Sequence, residues 1–341
     1  MAHRLGLDGA RLARIERTPL GVRATLHLHP PLSGSSIAAA HERIATAYGV
    51  ARARVQVDPH RSDVVWLSLD AALALDAVDY PYRPDPTHPP QDPLRPLPIG
   101  LGDDGHEMAA RVVGQGVLLG GIPGSGKSNA IRVLLAGLAV SANTSLWGID
   151  PKRTELVLWQ SRFSRLVLGH DFANTVALLD DLLAIIHRRT EYLATTGGAT
   201  LWPSPQHPAI VLVVDEWAEV GATESSKERQ KIDGLLRRVV SLGRAVSVTA
   251  ILATQRPTSE TIDVTTRSLL VHRLALRVGD RHQADAILGV GTYEPSQLVG
   301  AVPGRALWSD GGGAIGIQVY RVSDAMVSTI RASGWVPSST A

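Results

Sequence analysis

The sequence predicts an α/β protein in which a P-loop domain with a parallel sheet follows a small α/β domain. From residue 99 onward, short apolar runs alternate with helical patterns, which is typical of a parallel sheet covered by helices on both faces. One of those runs, at 117–120, leads directly into the pattern G-x-x-x-x-G-K-[ST] at 121–128. A proline-rich stretch before residue 99 separates the two predicted domains.

The first 79 residues are predicted to form the small domain. Alternating apolar and polar residues at 22–28 predict a half-buried strand, and short strands are also predicted at 54–57 and 64–69. A helix is predicted over 37–48, capped by Ser35 or Ser36 and ended by Gly49. No residue pattern in this domain predicts catalytic chemistry.

The segment 80–98 contains eight prolines in nineteen residues. Because proline lacks the N–H donor and fixes φ, this composition predicts a semi-rigid linker, neither a helix nor a central strand. The domain boundary is therefore expected here, with the P-loop domain covering 99–341.

The P-loop domain is predicted from six strands, four helices and a terminal hairpin. The predicted strands lie at 117–120, 145–149, 165–168, 210–214, 247–253 and 271–277. The predicted helices lie at 129–140, 174–194, 224–242 and 281–288. The hairpin is predicted at 306–308 and 315–320.

The P-loop pattern predicts binding of a nucleoside triphosphate together with Mg²⁺. Its glycines let the backbone N–H groups converge at the positive end of the following helix, where a polyphosphate binds. Lys127 is expected to reach the β and γ phosphates, and the Ser128 hydroxyl to ligate Mg²⁺. The predicted cofactor-binding residues are Gly121, Pro123, Gly124, Ser125, Gly126, Lys127, Ser128 and Asn129.

Two acidic residues follow a continuous apolar run at 210–214. A buried parallel strand would deliver Asp215 to the carboxyl edge of the sheet, beside the P-loop, where it would hold Mg²⁺. Glu216 would then orient and deprotonate the attacking water. This pair predicts hydrolysis that drives work more than phosphate transfer to a small acceptor.

Gln255 ends another predicted strand and could contact the γ-phosphate or position water. A plain strand-to-loop turn is the alternative on these residues alone. A further strand is followed by the charged turn Asp150-Pro151-Lys152-Arg153, which by composition is only a turn.

Composition and charge limit the class of protein. The chain has no cysteine, no apolar run approaching the roughly 18 residues that span a bilayer, and no signal-peptide pattern, so a cytoplasmic protein is expected. The net charge is +2, but residues 225–281 carry eleven Lys or Arg against five Asp or Glu.

Taken together, four stretches resemble the FtsK/SpoIIIE family of DNA-pumping ATPases. They are 124–128 in the P-loop, 149–152 with Glu155 and Leu156, 214–216, and Ala253-Thr254-Gln255-Arg256-Pro257. Residues 13–69 also resemble the family's small domain, and 96–102 its entry strand.

The resemblance implies a RecA-like motor that forms a hexameric ring around double-stranded DNA. It makes Gln255 a nucleotide sensor and implies an arginine supplied by a neighbouring subunit. Arg273 matches that arginine best, although Val271 stands where the family usually has proline, and Arg267 and Arg281 are rivals.

Within this family, the chain more closely resembles the short motors of actinobacterial conjugative plasmids and integrative elements, because neither membrane helices nor a winged helix is recognised. Recruitment by a membrane partner protein is a further expectation.

A ring that pumps any DNA sequence should bind phosphates rather than bases, so two basic segments are expected to face the pore. One contains Lys227, Arg229 and Lys231, and the other contains Arg256 and Arg267. A secretion motor with protein cargo and a nucleotide-gated DNA-binding protein are the alternatives.

Overall fold

The computed structural model describes residues 9–18, 21–58, 60–71, 92–103, 105–220, 222, 225–258, 261, 264–290, 298–311 and 313–332. Their contacts divide the chain into two compact units. One comprises the described residues of Met1–Val78 with Leu101–Glu107, and the other those of Asp79–Gly100 with Met108–Ala341. Most of the predicted linker, 80–91, lies outside the described residues, so the domain boundary stays a prediction.

The first unit is a four-stranded antiparallel sheet packed against two short helices. Its elements are β1 (Ala10–Thr18), β2 (Gly21–Leu28), α1 (Gly34–Ala39), α2 (His41–Tyr48), β3 (Arg52–Asp58) and β4 (Arg61–Asp70), with strand order β1-β2-β4-β3. Ile37 and Ile44 of the helices are fully buried against Leu26, Val65 and Leu67 of the sheet. The small α/β domain is confirmed.

Two details of the first unit differ from the prediction. The predicted single helix is two helices, and its N-cap is Ser33, whose hydroxyl accepts the Ser36 N–H. Strand β1 was not predicted because most of its residues are exposed and several are charged, so its sequence shows no alternation of apolar and polar residues. The predicted end of the helix at Gly49 is confirmed by its left-handed φ of 62°.

The second unit contains a ten-stranded sheet. Its strands are β5 (Leu97–Gly102), β6 (Glu107–Ala110), β7 (Val117–Gly120), β8 (Thr144–Asp150), β9 (Phe163–Leu168), β10 (Ala209–Val214), β11 (Val248–Thr254), β12 (His272–Leu276), β13 (Arg305–Ser309) and β14 (Ile315–Val319). The order is β6-β5-β14-β13-β12-β7-β11-β10-β8-β9, and the six strands from β12 to β9 are parallel. The predicted hairpin β13–β14 is antiparallel.

Helices cover both faces of this sheet. They are α3 (Lys127–Leu138), α4 (Phe172–Thr196), α5 (Ser226–Gly243), α6 (Val264–Leu269), α7 (Arg281–Leu288) and α8 (Asp324–Ala332). Apolar residues of α4, α5 and α7 form one core with the sheet, and those of α3 and α8 form the other. Every residue of the central strands β7, β8, β10 and β11 is buried, which explains why their sequences are largely apolar and do not alternate with polar residues. The predicted α/β fold is confirmed.

Strand β6 and helices α6 and α8 were not predicted, and strand β5 overlaps the predicted linker at the place where the family resemblance implied an entry strand, 96–102. Strand β5 begins inside the predicted linker and includes Pro98, which is tolerated because proline lies near the strand's start and removes only one donor. Pairing there uses Ile99, whose carbonyl accepts the Tyr320 N–H at 2.9 Å. Helix α6 was not predicted, since six residues give too few turns to establish a period, and α8 was not recognised although the shorter α7 was.

Candidate functional site

The P-loop lies at the carboxyl edge of the parallel sheet. Strand β7 ends at Gly120, which is paired with Thr254 of β11 on one side and Ala275 of β12 on the other. Residues 121–126 then lead into α3, which begins at Lys127. The loop therefore places backbone N–H groups at a helix N-terminus, where anionic ligands are stabilised.

Two glycines of this loop have backbone angles that other residues rarely adopt. Gly124 has a φ of 74° and Gly126 a φ of 98°. A side chain at Gly126 would also approach the Gly304 nitrogen to 2.6 Å. The Ser125 hydroxyl is buried and has no hydrogen-bond partner among the described residues. The loop thus has the backbone shape and a spare polar group that fit a polyphosphate.

Lys127 and the two acidic residues after β10 lie together, as predicted. The Lys127 Nζ donates to the Asp215 carbonyl oxygen at 2.6 Å and to Asp215 Oδ1 at 2.9 Å. The same Nζ lies 3.9 Å from Glu216 Oε2. All three side chains are nearly inaccessible, with exposures of 3%, 4% and 1%. Such burial is tolerated because the opposite charges are paired.

The Glu216 carboxylate is held by the end of the neighbouring strand β11. Thr254 donates its hydroxyl to Glu216 Oε1 at 2.9 Å. The Gln255 backbone N–H lies 2.9 Å from Oε1 and 3.0 Å from Oε2. Lys152, from the turn after β8, brings its Nζ to 3.6 Å from Oε2. Glu216 is therefore oriented by groups from two neighbouring strand ends, those of β11 and β8.

Two residues of this arrangement were not assigned a role from the sequence. Thr254 directly precedes Gln255, but a threonine at a strand end gives no signal of its own. Lys152 belongs to a recognised motif, yet its composition alone indicated only a charged turn. The structure also shows that Gln255 reaches Glu216 through its backbone, so the sensor role of its side chain remains a prediction.

The turn that carries Lys152 is organised by buried carboxylates. Asp150 Oδ2 accepts the backbone N–H groups of Glu155 and Leu156 at 3.1 and 2.9 Å. Burial raises the pKa of Glu155, while the Arg132 guanidinium at 2.6 Å acts in the opposite direction. This segment is therefore a fixed part of the site rather than a free surface turn.

The predicted metal ligands are a hydroxyl and a carboxylate. Ser128 is exposed in the first turn of α3, and Asp215 lies next to Lys127. Mg²⁺ is commonly held by one or two such oxygens together with substrate phosphates and water. Within the described ranges, no group of three or more His, Cys, Asp or Glu is arranged to hold a metal. The donor set thus fits a Mg²⁺ ion that arrives with the nucleotide.

Asn129 has a structural role in addition to its predicted place at the nucleotide. Its Nδ2 donates to the Tyr320 carbonyl at 2.6 Å, and its Oδ1 accepts the Val322 N–H at 2.8 Å. These bonds connect α3 to the segment between β14 and α8. The contact of Asn129 with a nucleotide remains a prediction.

Two of the three candidates for the intersubunit arginine, Arg267 and Arg273, contact helix α7, and the third, Arg281, is the first residue of that helix. Arg273 donates to the Leu288 carbonyl at 3.0 Å, and Arg267 to those of Asp285 and Ala286 at 3.0 and 3.2 Å. Burial, and then the charge of Arg267, lower the pKa of Arg273. Arg281 is exposed, with its Nε 3.6 Å from an Asp285 carboxylate oxygen. Which one serves a neighbouring subunit remains a prediction.

The first basic segment expected to face a pore lies on helix α5, which begins at Ser226, close to the predicted helix start at 224. Its Ser225 cap and Glu228 form a capping box. Arg229 is occupied within the chain: it donates to the Val220 carbonyl at 2.7 Å and pairs with Asp233 at 3.1 Å. Lys227 and Lys231 are exposed, as is Arg256 after β11.

No described helix is long and apolar enough to cross a bilayer.

No family model matches the chain. It is 29% identical to the transfer protein TraSA of Streptomyces ambofaciens over 89% of this chain and 76% of that protein. It is 28% identical to the protein Tra of Streptomyces lividans over 83% of this chain and 46% of that protein. It is also 28% identical to the DNA translocase FtsK of Lactiplantibacillus plantarum, over 60% of this chain and 30% of that protein. The chain thus spans less than half the length of Tra and FtsK.

The fold is similar to a solved structure of the pCW3 conjugation coupling protein TcpA, in its monomer form with ATPγS. The TM-score is 0.66 at 17% identity, and the match covers 94% of this chain and 92% of that one. This likeness supports the P-loop ATPase fold. The sequence matches make the chain a homologue of proteins named Tra, TraSA and FtsK, which confirms the resemblance to the FtsK/SpoIIIE family indicated by its motifs.

Proposed function

We propose that the chain hydrolyses ATP and uses the energy to move double-stranded DNA, working as a hexameric ring in the transfer of a conjugative plasmid or integrative element. The observation that carries the ATPase part is the arrangement of Lys127, Asp215 and Glu216 beside a P-loop. The DNA part is supported by the relatives named Tra, TraSA and DNA translocase FtsK.

In this proposal each residue of the site has a defined task. Lys127 would exchange its bond to Asp215 for bonds to the phosphates, and Asp215 with Ser128 would hold Mg²⁺, which would supply positive charge next to the phosphate oxygens. Glu216 accepts a proton from the attacking water, with Thr254 and the Gln255 N–H keeping its carboxylate aimed. Because Glu216 is bonded to the end of β11, a change at the γ-phosphate would be transmitted through Glu216 to Thr254 and Gln255, and from there to Arg256, the next residue in the chain.

The ring proposal adds a neighbouring subunit that supplies Arg273 to the γ-phosphate. The chain is expected to work in the cytoplasm and to be recruited to the membrane by a partner protein. It would contact DNA through phosphates, without reading its sequence.

The test is ATP turnover with and without double-stranded DNA, with single-stranded DNA and RNA as matched polyanions. We expect stimulation by the duplex above both controls, and none in Lys127→Ala. Turnover that no nucleic acid changes would overturn the DNA assignment and favour the alternative of a protein-cargo motor. Nucleotide binding without any turnover would favour a gated binding protein, although the intact Lys127, Asp215 and Glu216 argue against it.

A further inference from the structure

Arg277 is the first residue after strand β12, and its backbone is fixed against the P-loop. The Ile122 N–H donates to the Arg277 carbonyl at 2.9 Å. Strand β12 is the parallel neighbour of β7 on the side opposite Asp215 and Glu216. Arg277 therefore lies beside the P-loop of its own chain, on the flank away from the acidic residues.

The Arg277 guanidinium spans the tip of the P-loop and the turn before β13. Its Nη2 lies 3.4 Å from the Pro123 carbonyl oxygen, and its Nη1 lies 3.4 Å from that of Ala301. A side-chain carbon at Gly124 would be 3.2 Å from Nη2, so the guanidinium is in contact with the loop backbone.

These contacts leave the guanidinium weakly held. Both hydrogen bonds are long and go to neutral carbonyls, and the buried Nε has no hydrogen-bond partner. Among the described residues no carboxylate pairs with Arg277. By contrast, Arg132 is paired with Glu155 and Asp324, both at 2.6 Å. Within the described residues, Arg277 is thus a positive charge without a counter-charge at the loop where a polyphosphate is expected.

A purely structural role explains these contacts less well. The P-loop is already joined to the turn before β13 by the Gly304 N–H, which donates to the Ser125 carbonyl at 2.8 Å. It is joined to β12 by the Ile122 N–H. Both bonds use backbone groups, so the cross-links do not need the Arg277 side chain.

We propose that Arg277 is a nucleotide-binding residue in cis, donating charge-assisted hydrogen bonds to phosphate oxygens of a bound nucleoside di- or triphosphate. Phosphate binding would replace two long hydrogen bonds to carbonyls with bonds to an anion, and it would give the buried Nε a partner. Both changes favour the position of the guanidinium in the nucleotide-bound state. The proposal rests on the proposed ATPase function, but it concerns binding alone and needs neither DNA nor a neighbouring subunit.

The test compares Arg277→Ala, Arg277→Lys and wild type in titrations with fluorescent ADP and a non-hydrolysable ATP analogue, both with Mg²⁺. Arg188→Ala is the matched control, because Arg188 is an exposed arginine of α4 that has no assigned part in the site. Arg277→Ala should weaken binding roughly 10- to 100-fold, with partial recovery in Arg277→Lys, while Arg188→Ala stays within about twofold.

Melting temperatures separate this role from a structural one. For a phosphate contact, the Arg277→Ala protein should keep its nucleotide-free melting temperature but lose most of the increase that nucleotide causes in wild type. Unchanged affinity, or an equal loss in Ala and Lys accompanied by a lower nucleotide-free melting temperature, would overturn the proposal. Failure of the proposed function is distinguishable, since wild type would then bind nucleotide without DNA-stimulated turnover.

Discussion

The two flanks of strand β7 differ in how their charges are balanced. On the side of β11 and β10, here called the balanced flank, Lys127 is bonded to Asp215. On the same side, Glu216 accepts bonds from Thr254 and Gln255 and lies near Lys152. On the side of β12, here called the cationic flank, the described bonds of Arg273, Arg277 and Arg267 all go to backbone carbonyls. No carboxylate partner occurs for these three arginines in the described parts of the chain.

This difference suggests a division of labour between the flanks. The balanced flank holds its groups in position before any ligand arrives, as electrostatic pre-organisation requires. The arginines of the cationic flank would form stronger hydrogen bonds to a phosphate than they form to carbonyls. That phosphate would belong to a nucleotide bound either in the same chain or in a neighbouring subunit. Substitutions on each flank distinguish the two behaviours.

The largest expected effect concerns the cationic flank. Arg273→Ala should keep nucleotide affinity but lower hydrolysis by roughly 10³–10⁵, because arginine fingers stabilise charge at the γ-phosphate by that much. Mixing it with Lys127→Ala subunits should restore part of the activity where an intact arginine faces an intact P-loop. The measurement is steady-state ATP turnover of the mixtures, with mixed assembly verified by native mass spectrometry. Without rescue in confirmed mixed rings, the trans role of Arg273 fails.

On the balanced flank, Glu216→Gln should bind ATP yet hydrolyse it about 10²- to 10⁴-fold more slowly, because only the water-activating carboxylate is lost. Lys127→Ala should instead abolish binding, since the phosphates lose their point charge. Binding titrations and single-turnover hydrolysis separate the two variants. A Glu216→Gln protein that hydrolysed ATP near the wild-type rate would remove Glu216 from catalysis.

Neutralising Arg256 and Arg267 together should weaken DNA binding similarly for unrelated sequences and reduce its salt dependence, with each lost phosphate contact lowering the slope by about 0.9. Because Arg267 is bonded to α7 carbonyls and Arg256 is exposed, most of the change is expected from Arg256→Ala. Binding is measured by fluorescence anisotropy at several salt concentrations, with DNA-free ATP turnover as the control. Unchanged affinity and slope in the double variant would exclude these residues from the DNA path.

The smallest effect is on stability and concerns His272, at the start of β12. Burial lowers the pKa of His272, whose Nε2 contacts the Arg111 carbonyl at 2.9 Å and whose Nδ1 has no hydrogen-bond partner among the described residues. A depressed folded-state pKa contributes stability that is present above the ordinary value near 6.5 and is lost as pH falls through the folded-state value. Urea unfolding from pH 8 to 5 should therefore show a decline that His272→Gln reduces. An identical pH profile in the variant would assign the decline to other groups.

The sequence predicted the balanced flank better than the cationic one. The P-loop and the strand ending in Asp215 and Glu216 have strong local signals, namely fixed spacing and a buried apolar run. The contacts of Arg273 and Arg277 depend on which strand neighbours β7 and on the turn before β13, which are non-local features. The roles of Thr254 and Lys152 depend on adjacent strand ends in the same way, so only the fold could reveal them.

The central claim is that ATP hydrolysis at this site moves double-stranded DNA. The most direct measurement is displacement of a triplex-forming oligonucleotide from a duplex, with arms of increasing length before the triplex. Wild type with ATP should displace it after a delay that grows with arm length, while Glu216→Gln should bind the DNA and displace none. A wild-type protein that hydrolysed ATP on the duplex but left the triplex intact would contradict the claim.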